Sequence, residues 1–276
     1  MRVKIRQMAP AEVPAAAEFC AGGAPGAVSA ECRRRRRYWL QERLGAGLVV
    51  LFAVKEGIPK DVTYPDGSRV PGEELASIGD NLIVGLAEYG PPAVSPHPVR
   101  GAGIIHLNCL RVLEPFRGRG VGTELARAFV RAARKAGGGS VLAWAGDEPP
   151  YPYGPVGFFK KLGFREIVAD GPRALMYLGY GAPPPGLIKP EPLPYPVNRA
   201  TVFWSGACPG CVWGMKEIAA ELERRPDADV KLVNTDKRGD VERYGAMCGL
   251  AVRGKINEQR AVTWSDVNAA LERDNR

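Results

Sequence analysis

Apolar and polar residues change their period repeatedly along this chain of 276 residues, and each change marks an element. Val3, Ile5 and Gln7 open a strand. Glu12 to Cys20 and Ala30 to Arg43 repeat at helical spacing, separated by the glycine-rich stretch Gly22 to Gly26. Leu48 to Lys55 and Leu82 to Tyr89 are apolar runs of strand length, and Gly57 to Glu74 between them is loop-rich with a turn signal at Asp66-Gly67. Gly90 to Arg100 carries four prolines and is expected as an exposed loop. Gly103 to Val112 is a largely buried strand, after which Leu125, Ala126, Phe129, Val130 and Ala133 recur at helical spacing up to the stop at Gly137-Gly138-Gly139. A strand over Ser140 to Ala145, a helix near Gly157, and strands over Glu166 to Ala169 and Ala174 to Tyr180 complete this first half.

The pattern then breaks. Gly181 to Pro196 holds seven prolines, too many for a sheet interior, and is expected as a semi-rigid extended linker. Beyond it come a strand over Ala200 to Trp204, an amphipathic helix through Met215, Ile218, Ala219 and Leu222, and a strand over Val230 to Asn234. A helical stretch over Asp240 to Ala246, a strand-like run over Leu250 to Ile256 and a closing helix over Ser265 to Arg273 follow. The expected division is a domain over residues 1–180, a linker over 181–198 and a small domain over 199–276.

Composition changes this picture in three places. The net charge of +8 favours an anionic partner, be it nucleic acid, a membrane surface or a phosphorylated cofactor. Arg33 to Arg37 concentrate that charge. Five successive arginines cover most of a helix circumference, so this helix is expected to be peripheral and solvated, and no interleaved aromatics or nucleic-acid motif accompany it. The longest apolar run, Leu48 to Val54, falls far short of the ~20 residues that span a bilayer. The N-terminal residues lack a signal peptide's apolar core, which points to a cytoplasmic protein. Six dispersed cysteines do not make a disulfide scaffold, but Cys208 and Cys211 form a Cys-x-x-Cys pair at a helix start.

The main candidate site lies between the buried strand and the helix that follows it. Arg117-Gly118-Arg119-Gly120-Val121-Gly122 combines glycines, which let the main chain approach an anion, with a helix N-terminus and two arginines. A diphosphate suits that combination. A Walker loop would require a lysine before Thr123, and a dinucleotide fingerprint would require different glycine spacing. The stretch instead resembles the acyl-CoA signature of the GNAT acetyltransferases, Gln/Arg-x-x-Gly-x-Gly/Ala, filled by Arg117, Gly120 and Gly122. Gly157 to Phe164, with Phe158, Lys161, Gly163 and Phe164, resembles that family's second signature. The resemblance implies an α/β (α+β) chain: a GNAT acyl-CoA fold with a mixed, mostly antiparallel, splayed sheet. It implies acetyl-CoA as cosubstrate, with Leu110 and Val112 pairing their backbone with pantetheine, and Arg117 to Gly122 and Phe159 at the cofactor. The family's usual thiolate-protonating tyrosine is replaced here by Phe159. Tyr151 and Tyr153 are therefore the candidate acids, and Glu88 and His106 the candidate bases. Glu88 is preferred because the family commonly places a carboxylate on that strand, while a strand histidine such as His106 also reads as a satisfied core residue, and His97 as a loop residue.

The order of elements after the linker, with Cys208-Pro209-Gly210-Cys211 at its first helix, resembles a short thioredoxin-like domain of the YoaP-like kind. The resemblance implies redox or substrate-holding roles for Cys208 and Cys211, with Cys208 outermost and favoured as thiolate by the helix dipole. Met247-Cys248-Gly249 stands where the cis-proline of such domains is expected. Zinc would need two more ligands, of which Cys248 supplies at most one, so no metal is assigned. Three functions remain in view. They are an N-acetyltransferase acting on an amine or thiol acceptor and carrying a thiol module, a thiol-disulfide or thiol-carrier protein whose first half only binds acyl-CoA, and a basic nucleic-acid-binding protein.

Overall fold

The computed structural model describes residues 2–22, 26–146, 154–170, 173–180, 186–187, 200–225, 229–252, 255–257 and 262–273. Its chain gathers into two compact units: Met1–Gly22, Leu40–Ser95 and Val99–Gly186 form the first, and Gly23–Trp39, Pro96–Pro98 and Leu187–Arg276 the second. Most of the linker, and the tyrosines Tyr151 and Tyr153, lie outside the described residues.

The first unit is built on one sheet. Its main strands are β1 (Lys4–Gln7), β2 (Val49–Glu56), β3 (Asn81–Gly90), β4 (Ile104–Val112), β5 (Ser140–Gly146), β6 (Arg165–Asp170) and β7 (Arg173–Gly179), in the spatial order β1-β2-β3-β4-β5-β7-β6, with the short strand Ser77–Ile78 folding back antiparallel on β3. Every neighbouring pair in that order is antiparallel except β4 and β5, which run parallel. The residues 57–74 include a short hairpin, Asp61–Thr63 against Arg69–Pro71, around the Asp66-Gly67 turn. A buried core of Leu82, Val84, Leu107, Leu125, Phe129, Val141, Phe159 and Met176 fills the unit. Each such side chain, fully removed from water, contributes about 1.5–3 kcal/mol.

Helix α3 (Val121–Lys135) supplies one wall of that core through Val121, Leu125, Ala126, Phe129 and Ala133, all on one stripe. Gly85 explains how closely it sits. A Cβ there would come within 2.8 Å of Leu125 Cδ1 and 3.2 Å of Val121 Cγ1, so the helix lies against a strand position without a side chain.

The second unit carries a four-stranded sheet of β8 (Ala200–Trp204), β9 (Val230–Asn234), β10 (Gly249–Val252) and β11 (Lys255–Asn257), in the order β9-β8-β10-β11. β8 pairs parallel with β9 and antiparallel with β10. The run Leu250 to Ile256 is thus not one strand but a tight antiparallel pair, β10 turning back as β11. Its three helices are α5 (Pro209–Leu222), α6 (Arg238–Tyr244) and α7 (Trp264–Arg273); the remaining helices are α1 (Val13–Ala21), α2 (Gly26–Leu44) and α4 (Val156–Lys161).

Two further sequence expectations are overturned. The arginine run does not make α2 peripheral: Cys32, Arg36 and Trp39, at i, i+4 and i+7, are all buried, while Arg34 and Arg37 face solvent. A guanidinium can be buried where it meets a hydrogen-bond acceptor and a ring for its flat face. Arg36 donates from Nη1 to the Ala207 carbonyl at 2.9 Å and stacks 5.0 Å from the Trp39 ring. Nor is the proline-rich stretch 90–100 an exposed loop, since Val94 to Val99 are buried. Val94 fills the space over Gly90, where a Cβ would meet it at 2.4 Å, and the His97 carbonyl accepts from Arg238 Nη1 at 3.0 Å.

Candidate functional site

β4 and β5 begin as a regular parallel pair, Ile104 opposite Ser140 through Leu107 opposite Ala143, and then part. β4 continues to Val112 and β5 to Gly146 without pairing to each other again, and a wedge opens between the two strands. β5 instead meets Gly154, through an Ala145–Gly154 bridge and a Gly146 N–H bond to the Gly154 carbonyl at 3.2 Å. Asn108 is the residue at which this begins, because β3 pairs Glu88 with Cys109 but Tyr89 with Leu107, leaving Asn108 as an extra residue in β4. Such a bulge bends a strand and increases its twist. The outer half of β4 is held from elsewhere. Arg111 donates to the carbonyls of Cys20 at 2.6 Å and Gly22 at 3.1 Å, and its guanidinium lies 5.6 Å from the Phe19 ring centre.

The wedge exposes specific amides. Leu113 N–H donates to Val84 O at 3.0 Å, so Leu113 faces β3. Strand groups alternate in direction, so Arg111 and Cys109 also turn towards β3, and the N–H and C=O groups of Leu110 and Val112 turn towards the open side. These are the two residues for which the sequence resemblance implied backbone pairing with pantetheine.

β4 leads through a 3-10 turn at Glu114–Phe116, which takes up Pro115, into the glycine loop and α3. Gly118 at φ 72° and Gly120 at φ 84° are left-handed, a conformation that side chains rarely adopt, and a Cβ at either would meet nothing within 4 Å. The loop is therefore shaped by backbone need and open to a guest. Glu124 N–H is the first to bond within the helix, to Gly120 O at 3.0 Å, which leaves the amides of Val121, Gly122 and Thr123 directed out of the N-terminus. Arg117 and Arg119 are exposed beside it, Arg119 lying 5.9 Å from the Phe116 ring centre. Gly122 differs from its neighbours: a Cβ there would make ordinary contacts, 3.7 Å to Val112 and 3.9 Å to Phe158.

The other candidates are dispersed. Phe159 is a core residue, its ring edge-on to Phe158 and Phe164, so it is Phe158 that stands beside Gly122. Glu88 is 1% exposed, on β3 between Val50 of β2 and Cys109 of β4. His106 is fully buried, with Nδ1 at 3.1 Å from Ser95 Oγ and 2.8 Å from Asn108 Oδ1.

Residues 61–164, from the hairpin to the end of α4, match the family model described as Acetyltransferase (GNAT) family. That stretch, somewhat over a third of the chain, is similar to the GNAT acetyltransferases. Among solved structures, the PaiA N-acetyltransferase from Thermoplasma acidophilum in complex with coenzyme A is 15% identical, with a TM-score of 0.42, and the match covers 65% of this chain and all of that one. A GNAT family acetyltransferase from Brucella melitensis in complex with acetyl-CoA is 18% identical at a TM-score of 0.38, covering 66% of this chain and 92% of its own. The ribosomal-protein-alanine N-acetyltransferase from Brucella melitensis is 19% identical at 0.42, covering 64% and 99%. Comparison with curated proteins gives no match.

The glycine loop of the first unit has a counterpart in the second. Cys208 caps the N-terminus of α5, half-buried, with Pro209 as the first helical residue. The loop before it is fixed by Asp236, whose Oδ1 accepts from Ser205 Oγ at 2.8 Å and from Gly206 N at 2.7 Å. Ser205 Oγ in turn accepts from Ala207 N at 3.1 Å. Residues of α2 close over it. Besides the Arg36 bond to Ala207, Cys32 Sγ donates to the Pro209 carbonyl at 3.3 Å, and the Arg35 guanidinium lies 4.5 Å from the Trp204 ring centre. Sequence reasoning missed Asp236, Cys32 and Arg36 here, because each comes from a segment distant in sequence and none sits in a motif.

Four thiols thus converge on one loop. Burial pushes the Cys211 thiol well above its ordinary value, and hydrogen-bonding contacts with the thiols of Cys208 and Cys248 act in the same direction. Burial, then the neighbouring Cys208, pushes Cys32 up to about 11. All six cysteines of the chain are free thiols. Among the described residues no group of three or more His, Cys, Asp or Glu is arranged to hold a metal ion, and no helix is long and apolar enough to cross a membrane.

Proposed function

We propose that the first unit transfers an acetyl group from acetyl-CoA to an amine of a small molecule or protein. The observation that carries this reading is the wedge between β4 and β5, whose open edge presents the Leu110 and Val112 amides and leads straight into the amides of the α3 N-terminus. An extended chain bearing amide groups and ending in a diphosphate would pair along that edge and terminate on Gly118 to Gly122. The coenzyme A and acetyl-CoA complexes of the similar structures accord with this.

For transfer, an amine must arrive unprotonated at the thioester carbonyl and the departing thiolate must gain a proton. Holding the thioester at a fixed point is the larger contribution of such a site. Glu88, at the bulged part of the β3–β4 pair, is our candidate for taking the amine's proton. Tyr151 and Tyr153 are our candidates for protonating the thiolate, since the helix position used by related enzymes is occupied by the buried Phe159. Glu88→Gln should lower kcat/KM chiefly on the acid side, where a base is needed to unload the amine. Unchanged turnover across pH would remove Glu88 from the reaction. Tyr151→Phe together with Tyr153→Phe should slow thiolate release, and a wild-type rate would leave solvent as the acid. Acetylated products appearing in cell extract with purified protein and labelled acetyl-CoA test the transfer itself.

The second unit we read as a thioredoxin-like thiol-disulfide module acting in the cytoplasm. The strand order, with the central β8 parallel to β9 and antiparallel to β10, and the Cys208-Cys211 pair at the start of α5 support this reading. Cys208 is the half-exposed thiol and sits where a helix dipole favours thiolate, while Cys211 is buried below it. Oxidation of the pair by a small disulfide, followed as loss of alkylatable thiol, is the test.

A further inference from the structure

Cys248 has no part in a two-cysteine cycle, yet its position is as closely determined as that of the pair. Gly249 pairs with Phe203 on β8, so Cys248 stands level with the end of the strand that feeds the Cys208 loop. Thr235 fastens the two together. Its N–H donates to the Trp204 carbonyl at 2.9 Å, and its Oγ1 lies between the carbonyls of Trp204 and Met247. Cys248 is buried, and so is Cys211. The Cys211 thiol is in hydrogen-bonding contact with both Cys208, which is half-buried, and Cys248, which is buried.

From this geometry we propose that Cys211 is a pivot and Cys248 a third redox thiol, so that a disulfide formed at Cys208–Cys211 moves inward to Cys211–Cys248. The proposal rests on the thiol-disulfide reading of the second unit. Its first steps are those of that reading. Cys208 thiolate attacks one sulfur of a small disulfide, a Cys208–substrate bond forms, and the first substrate thiolate leaves. Cys211 loses its proton and attacks Cys208 Sγ, forming Cys208–Cys211, and the second substrate thiolate leaves and takes up that proton.

The further step is an exchange within the protein. Cys248 loses its proton and attacks Cys211 Sγ; Cys211–Cys248 forms, Cys208–Cys211 breaks, and Cys208 departs as thiolate or takes the proton that Cys248 gave up. The substrate disulfide has been reduced to two thiols, and Cys211 and Cys248 have become the oxidised pair. Attack and departure favour this direction, because the leaving sulfur is the half-exposed one at the helix N-terminus. The consequence is functional. Cys208 is restored as a nucleophile while the oxidising equivalent is stored where small thiols do not reach it.

Trypsin separates the two disulfides by mass. Residues 200–216 carry both Cys208 and Cys211, 244–253 carry Cys248, and 7–33 carry Cys20 and Cys32. Reduced full-length protein is treated with hydroxyethyl disulfide, trapped by alkylation and digested. The expected result is a cross-link between peptides 200–216 and 244–253, with Cys208 alkylated. Cys248→Ser should give only the closed 200–216 peptide, and Cys208→Ser should still form the cross-link when oxidised by diamide. Cys211→Ser should form neither. If the wild type yields only the closed peptide and Cys208→Ser keeps Cys211 and Cys248 alkylatable, the pivot is overturned while the Cys208–Cys211 reading stands. A cross-link to 7–33 in place of 244–253 also overturns it, by assigning the third thiol to Cys32. If no form of the protein loses thiol, the dithiol reading falls and the pivot falls with it.

Discussion

The two candidate sites are built on the same local plan, a strand running through a short loop into a helix N-terminus, and they differ in what fills the loop. After β4 the loop is glycine, left-handed twice, with empty space where side chains would be and arginines at its rim. After β8 it is Ser205-Gly206-Ala207-Cys208-Pro209, and nearly every backbone group has a side-chain or carbonyl partner: Asp236, Ser205, Arg36 and Cys32. An open loop suits a large anion that brings its own hydrogen-bond acceptors. A closed loop suits a reaction carried by one atom, since what matters there is the exposure of one sulfur and the shielding of the next. The helix dipole is common to both and decides neither.

The sharpest way to break this contrast is at Gly120. A glutamate there must adopt φ 84°, places a carboxylate where a diphosphate would lie, and meets no protein atom that would resist it. The fold should therefore persist while acetyl-CoA affinity falls by roughly 100-fold or more, equivalent to about 2.7 kcal/mol. The thermal stabilisation that acetyl-CoA gives the wild type should vanish in Gly120→Glu. Undiminished stabilisation would refute the anion assignment. Gly122→Ala sharpens the same point, because its methyl group makes only ordinary contacts with Val112 and Phe158. It should keep acetyl-CoA binding within a few-fold of wild type.

On the closed side, Asp236→Ala removes the acceptor that Ser205 Oγ and Gly206 N share. Leaving part-buried donors unmatched costs about 1–3 kcal/mol. Denaturant unfolding followed by the tryptophans of the second unit, Trp39, Trp204, Trp213 and Trp264, should report a loss of that size. A midpoint equal to wild type would mean that water replaces the carboxylate and that the loop is less closed than its hydrogen bonds imply.

How much of this was legible follows from the same contrast. The open loop announces itself in sequence, because its requirements are met by consecutive residues: glycines where φ is positive, then a helical stripe. The splay was expected from the family resemblance, but the bulge at Asn108 that begins it has no sequence signal, since an extra residue in a strand looks like any other. In the closed loop only Cys208 and Cys211 could be read. Arg36 was hidden in a run of arginines that looks uniformly solvated, and its burial depends on Trp39 one turn on and a carbonyl at Ala207 far along the chain. Long-range partners of this kind are chosen by the fold after its elements have formed, and no local periodicity encodes them. The same holds for Val94 to Val99, where proline content suggests exposure and tertiary covering overrides it.

The smallest expected effect concerns the pH dependence of the closed side. Cys32 is fully buried against the Pro209 carbonyl, and burial with the nearby Cys208 raises its thiol from the ordinary 9.0 to about 11. A raised acidic group stays protonated in the folded chain while the unfolded chain ionises. Its contribution is therefore complete below pH 9 and is lost as the pH rises through about 11. Cys32→Ala lacks the titrating group. Under reducing conditions it should be somewhat less stable than wild type at pH 8, because the Pro209 carbonyl loses its donor, but its stability should fall less steeply between pH 9 and 11. The two curves should converge in that window when denaturant midpoints are compared at each pH. Parallel curves would show that Cys32 ionises as readily in the folded chain as in the unfolded one. That result would mean that α2 does not shield the thiol loop from solvent, and the distinction between an open and a closed loop would then rest on Asp236 alone.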